Sequence, residues 1–350
     1  MARLRRVDCS GPGIIRRKRG RGFEYLYAET GERVGDTATL SRIRDLVVPP
    51  AWKEVWICAI PHGHIQAVGT DAAGRKQYLY HEKWRLRRDQ EKFDRMLEFA
   101  RKLPAMRDVA MEHLALKGMP RKRALACAVR LLDLGFFRIG TESYAEQNKT
   151  YGIATMQKKH VRLNGNIITF DYKAKSGLRR VQSIVAPDVF QVVSLLKRRR
   201  GGGDELLAYK DGRTWIDVKS IDINDYLKEV MDGDFSSKDF RTWNATVLAS
   251  VAMAISGGAA SSATARKRAI ARAVKEVAHY LGNTPAVCRS SYIDPRVFDR
   301  YRSGWTISGA LEAIGEDVSF GEPSVQGAIE EAVIDLLEDR RESDAVEKIA

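Results

Sequence analysis

The chain has 350 residues and a formal net charge of +14, and 44% of its side chains are hydrophobic, enough for a sizeable buried core and for two domains. Residues 311–350 hold twelve acidic and three basic side chains, which leaves the first 310 residues with 56 basic against 33 acidic, a net +23. A body that basic is expected to seek a polyanion, and its apolar content excludes a disordered basic tail as the explanation.

In chain order, residues 23–27, 55–60, 64–68 and 77–80 are β-rich runs bounded by turn signals, and the polar, Gly-bearing stretch 69–75 suits a hairpin. They predict a small, mostly β domain over residues 1–85. From Trp84 the composition turns charged and helical, with Phe93, Met96, Leu97 and Ala100 at helical spacing. A second helix is expected over residues 120–137, where Leu125, Val129, Leu132 and Phe136 form one stripe, with Arg138 and Gly140 at its end. Strands at 160–163 and 166–172 flank Asn164-Gly165, a strong hairpin signal, and a turn at 174–177 leads into an extended run to Val185. Lys175 is thereby placed at the tip of a β connection. Helices follow at 242–255 and 265–281, the latter stopped by Gly282, with a flexible loop expected at 257–262 between them. After about residue 316 an acidic amphipathic segment ends in a helix at 328–341, and its role stays open.

Cys9, Cys58, Cys127 and Cys288 are scattered without a Cys-x-x-Cys pair, which reads as reduced thiols rather than a disulfide frame or zinc site. His62 and His64 have no carboxylate or cysteine at useful spacing, so no metal site is expected. No apolar run approaches the ~18 residues that span a bilayer. A soluble, cytoplasmic protein is expected, with no membrane partner. The charge runs at 16–21 and 197–200 read as solvated loops and are assigned no site.

The chemistry-bearing residues are Arg138 in Phe137-Arg138-Ile139-Gly140, Lys175, Arg241 in Lys238-Asp239-Phe240-Arg241, and Asn283 in Leu281-Gly282-Asn283, with Tyr292 nine residues further on. Such a set suits phosphoryl transfer with no cofactor. Tyrosine, with a pKa of about 10, gives up its proton far more readily than an alcohol and can supply the attacking oxygen. Two guanidiniums and an amide can bind the nonbridging oxygens of a phosphodiester, and a lysine can protonate the departing alkoxide. Singly, each residue reads more simply as a solvated arginine, a half-buried tyrosine, a helix-end asparagine or a turn lysine. Order and context raise the odds.

In that order the boxes resemble those of type IB DNA topoisomerases, in the compact branch found in poxviruses and many bacteria, from about residue 23 to about residue 310. The resemblance implies an α+β fold: a small β-rich N-terminal domain and a larger, mainly α-helical catalytic domain over 86–315 that carries a short three-stranded β-sheet, followed by the acidic segment 316–350. It implies that Tyr292 forms a 3′-phosphotyrosyl bond, that Arg138 and Arg241 hold the scissile phosphate, and that Lys175 protonates the 5′-oxygen. It also implies supercoil relaxation by nicking, rotation and religation, without ATP or metal, by a monomer that encircles duplex DNA as a clamp and is nucleoid-associated in a bacterial host. Asn283 stands where poxvirus enzymes have histidine, and an amide can donate a hydrogen bond but cannot titrate. Gln77-Tyr78-Leu79-Tyr80 resembles the DNA-contacting strand of the family, and Tyr144 a phosphate-contacting tyrosine. A tyrosine recombinase shares the chemistry but normally has His-x-x-Arg where Lys238 stands here. A noncatalytic architectural DNA-binding protein would not need these residues in this order.

Overall fold

The computed structural model describes residues 3–257, 262–314 and 323–349. Two separately packed units make up the chain, Met1–Asp94 and Arg95–Ala350.

In the first unit, β1 (Gly13–Arg19), β2 (Gly22–Tyr27), β3 (Lys53–Cys58), β4 (Ile65–Thr70) and β5 (Lys76–Tyr80) form an antiparallel sheet in the order β2-β1-β3-β4-β5. Its apolar face packs Ile14, Val55, Ile57 and Ala67 against Ile43 of α1 (Thr37–Asp45). That helix starts at Asp36, whose carboxylate accepts from the N–H groups of Ala38 and Thr39. The expected hairpin joins β4 to β5, and there the Asp71 carboxylate accepts from the backbone N–H groups of Ala73 and Arg75. The first charge run is a correction. Residues 16–19 belong to β1, and Arg16 is buried, donating to the carbonyls of Val48, Pro49 and Trp52 at 3.2, 3.1 and 2.7 Å.

Helix α2 (Glu82–Leu114) is longer than expected and passes through Pro104. The second unit continues with α3 (Arg121–Leu134), α4 (Glu142–Asn148), β6 (Val161–Asn164), β7 (Ile167–Lys173), β8 (Arg179–Val185), α5 (Pro187–Arg198), β9 (Ala208–Asp211), β10 (Thr214–Asp217) and α6 (Ser220–Met231). It closes with α7 (Ser237–Ile255), α8 (Ala263–Leu281), α9 (Pro285–Ser291), α10 (Pro295–Arg302), β11 (Trp305–Thr306), α11 (Ser308–Ile314), α12 (Pro323–Leu337) and β12 (Glu347–Lys348). The fold is α+β, a β-rich N-terminal region followed by a helical core that carries the three-stranded sheet β6-β7-β8.

Three boundaries, and the exposure of one charge run, differ from the sequence expectation for local reasons. Helix α3 stops at Leu134 because Gly135 leaves the helix, so Phe136 to Gly140 lie outside any helix or strand. The β6–β7 hairpin is shifted by one residue: Asn164 pairs with Ile167, which puts Gly165 first in the two-residue loop with φ +55°. Helix α7 begins five residues earlier than expected, because Asp239 accepts from the Ser236 N–H and closes its first turn. In the run 197–200, Arg199 is buried and donates to the carbonyls of Leu196 and Leu206. Residues 258–261 of the expected loop lie outside the described residues.

The described part of the acidic C-terminal segment, residues 323–349, packs into the second unit. Glu330 of α12 is buried, binds the Arg107 guanidinium through both oxygens and accepts from Trp243 Nε1 at 2.9 Å. Strand β12 pairs with β11.

Candidate active site

Five elements of the second unit converge on one groove. Helix α8 ends at Gly282, whose φ of +61° allows its N–H to reach the His279 carbonyl and the Asn283 N–H to reach the Ala278 carbonyl. Thr284 then caps α9, accepting from the Val287 N–H at 3.3 Å, with Pro285 in its first turn. Tyr292 lies at the other end of this short helix, its N–H bonded to the Cys288 carbonyl at 3.0 Å. The nine-residue spacing between Asn283 and Tyr292 is therefore one capped helix long.

Arg241 sits in the second turn of α7, 4% exposed, with Nη1 donating to the Phe136 carbonyl at 2.7 Å and Nη2 to the Leu281 carbonyl at 2.9 Å. Nη2 also reaches Asn283 Oδ1 at 2.9 Å, and Arg138 Nη2 reaches the same oxygen at 2.7 Å. Two cationic donors on one oxygen settle which end of the amide faces them. Asn283 Nδ2 remains, with no protein acceptor among the described residues. The Arg241 guanidinium also lies over the Tyr292 ring, 5.2 Å from its centroid.

The loop that carries Arg138 is held by its backbone. Its carbonyl accepts from the Ile153 N–H at 2.9 Å, and that of Ile139 from the Ala154 N–H at 2.7 Å. Gly140, with φ +73°, and Gly152 pack backbone to backbone: a Cβ on Gly152 would lie 2.5 Å from the Arg138 carbonyl oxygen.

No carboxylate bonds to Arg138 or Arg241 among the described residues. Burial, with the neighbouring Arg138 charge, pushes the Arg241 pKa down to about 10, so it is still charged at neutral pH. Burial alone would raise the Tyr292 phenol, but the charges and N–H groups of Arg241 and Arg138 outweigh it and bring the pKa below the ordinary tyrosine value. The site thus favours the ionised form of the oxygen that would attack.

Lys175 opens the turn between β7 and β8, where Ser176 and Gly177 have φ of +67° and +76°. It is exposed and lines the same groove, and its ammonium has no partner among the described residues. Tyr78 and Tyr80 lie in the first unit on the open face of β5, 40% and 42% exposed, with rings stacked 6.0 Å apart. Gln77 points to the opposite face, where its amide donates to Asp71, so the structure does not group it with them. Tyr144 is exposed on α4 and does not line the groove.

One groove residue was not anticipated. Arg180 on β8 shares the inward face with Gln182 and Ile184, and its Nη2 donates to the Tyr280 carbonyl at 2.5 Å. Strand alternation counted back from Ile184 would have pointed it inward. The groove measures roughly 1600 Å³, above the 300–1,000 Å³ usual for a small ligand, and suits a macromolecular substrate.

Comparison with known proteins agrees with this chemistry. The family described as eukaryotic DNA topoisomerase I, catalytic core, matches residues 81–309. The chain belongs to the type IB DNA topoisomerase family. Residues 22–71 match the family described as bacterial DNA topoisomerase IB, N-terminal domain. DNA topoisomerase 1B of Acanthamoeba polyphaga mimivirus is 33% identical over 298 residues, covering 83% of this chain and 88% of the viral protein. DNA topoisomerase 1B of vaccinia virus (strain Western Reserve) is 21% identical over 265 residues, 74% of this chain and 78% of that protein. DNA topoisomerase 1 of Daucus carota is 31% identical over 129 residues, 36% of this chain and 15% of the plant protein. The protein is accordingly an enzyme of the type IB topoisomerase class with DNA as its partner, and neither a recombinase nor an architectural protein is favoured. No described helix is long and apolar enough to cross a membrane.

Proposed function

We propose that Tyr292 is the nucleophile of supercoil relaxation. Its phenolate oxygen attacks the scissile phosphorus, a bond to the 3′-phosphate forms, the P–O5′ bond breaks, and Lys175 gives a proton to the departing 5′-oxygen. Religation reverses these steps, so bond energy is kept in the phosphotyrosyl ester and ATP is not needed. Arg138 and Arg241 hold the nonbridging oxygens, and Asn283 orients both guanidiniums through Oδ1 while offering Nδ2 to the phosphate. The observation that carries this reading is the meeting of Arg138 and Arg241 on Asn283 Oδ1 beside Tyr292. We further propose that a monomer closes around the duplex as a clamp, with Tyr78 and Tyr80 as contacts of the N-terminal unit and Tyr144 as a phosphate contact of the second.

The test is plasmid relaxation with chelator and without ATP, together with trapping of a 3′-linked covalent adduct. Tyr292→Phe is expected to bind duplex and form no adduct. A 5′-linked adduct, or cleavage by the Phe variant, would overturn the assignment of the nucleophile. Lys175→Ala should slow cleavage severely on ordinary DNA and hardly at all when the scissile 5′-oxygen is replaced by sulfur, because a thiolate leaves without a proton. Equal slowing on both substrates would remove Lys175 from the proton-donor role.

A further inference from the structure

Arg180 lies outside the recognised boxes, yet it occupies the same groove as Arg138, Lys175, Asn283 and Tyr292. Its guanidinium has one good protein acceptor, the Tyr280 carbonyl at 2.5 Å, and a long contact of 3.5 Å to Gln182 Oε1. Both use Nη2. Nε and Nη1 have no protein acceptor among the described residues, and no carboxylate pairs with this arginine. Burial works most against its charged form, Tyr172 partly offsets this, and the nearby Arg138 charge adds to it, leaving the pKa below the ordinary arginine value.

A largely desolvated cation beside another cation is costly unless something compensates it. Elsewhere in the chain the compensation is visible: Arg16 has three carbonyls, and Arg107 has two carboxylates. Arg180 has neither, and it lines the groove. Its place is also distinct from that of Arg138 and Arg241. Those two meet on Asn283, whereas Arg180 Nη1 abuts Gly282, 2.8 Å from where a Cβ there would lie, on the side of the helix end that faces the Lys175 strand.

We propose that Arg180 binds the DNA phosphate next to the scissile one, and that through Tyr280 it also ties the strand following Lys175 to the end of α8. The proposal rests on the reading of Tyr292 as nucleophile. A phosphate one nucleotide along the strand lies beside the scissile group without competing for Arg138 and Arg241. Filling Nε and Nη1 with its oxygens would supply the missing anion through charge-assisted hydrogen bonds.

The test uses the full chain and a duplex with one mapped cleavage site, carrying a single neutral methylphosphonate at the scissile linkage or at either adjacent linkage. For the parent, a neutral linkage at one adjacent position should slow adduct formation about 10- to 100-fold, the size of one charge-assisted contact. Arg180→Gln, which keeps an N–H for the Tyr280 carbonyl, should be slowed by a similar factor on all-phosphate DNA and not further by that adjacent neutral linkage. Arg180→Lys should recover part of the rate. In binding, which needs no cleavage, Arg180→Gln should lower the slope of log K against log salt by about 1. The proposal is overturned if Arg180→Gln cleaves at the parental rate, if its defect multiplies with every neutral linkage, or if it couples to the scissile linkage alone. A parent chain that shows the salt slope but forms no adduct would instead overturn the reading of Tyr292.

Discussion

Two groups of arginines in the second unit are held in opposite ways. Arg107 and Arg130 meet the carboxylate of Asp133, and Arg107 binds Glu330 as well, while Trp243 donates to Glu330 from α7. Burial works against the Arg107 charge, but its bonds to Glu330 and Asp133 outweigh this and raise its pKa. Two residues before Trp243 on the same helix, Arg241 meets carbonyls, an amide and the Tyr292 ring, and Arg138 a carbonyl and the same amide, with no carboxylate on either among the described residues. Carboxylates thus surround Arg107, while among the described residues none bonds to Arg138 or Arg241, which in the proposed function keep their charge for a substrate anion. On that reading the first arrangement serves stability and the second chemistry.

The largest effect should come from breaking the neutralised group. Glu330→Ala leaves part of the Arg107 guanidinium and the Trp243 N–H without partners in a buried place, and should cost about 3–5 kcal/mol in denaturant unfolding. A loss below about 1 kcal/mol would mean that this cluster does not carry the stability assigned to it. Next is Arg241→Ala, expected to slow adduct formation by roughly 10² to 10³. Its stability cost should stay near 1–2 kcal/mol, because only the Phe136 and Leu281 carbonyls and the Asn283 amide lose a donor and a repulsion with Arg138 is relieved. Equal loss of stability in the two variants would erase the contrast.

The smallest effect is a shift along the pH axis. In the proposed mechanism the attacking form is the Tyr292 phenolate, so cleavage should rise with pH and level off above the Tyr292 pKa, which the arginines hold below the ordinary value. Arg138→Ala removes one of the charges that favour the phenolate. The rising limb of its pH–rate profile should therefore move to higher pH, and an unmoved limb would show that Arg138 does not act on Tyr292 through charge.

How much of this was legible in the sequence depended on the kind of signal. The helix stop at Gly282, the hairpin before Lys175 and the spacing to Tyr292 were readable because backbone conformation and capping are local. Arg16, Arg199 and Arg180 were misread or missed because a charged side chain announces solvent, and what holds each is backbone carbonyls, distant in sequence for Arg16 and Arg180 and supplied by the neighbouring loop for Arg199. The place of the C-terminal helix stayed open in the sequence, because the residue that decides it, Glu330, is matched by Arg107 more than two hundred residues earlier. The shared Asn283 oxygen could not be read at all, since it depends on two loops and a helix arriving together.

The contact between Gly140 and Gly152 has a consequence for how sequence variants of this chain should be interpreted. Neither residue carries a functional group, and a survey of polar positions would pass over both. A single methyl group at Gly152 would nevertheless overlap the Arg138 carbonyl, and the loop could make room only by shifting the guanidinium at its centre. In a variant catalogue Gly152→Ala would then look like a catalytic lesion at a residue with no chemistry, a loss of aim in which every reacting group is still present.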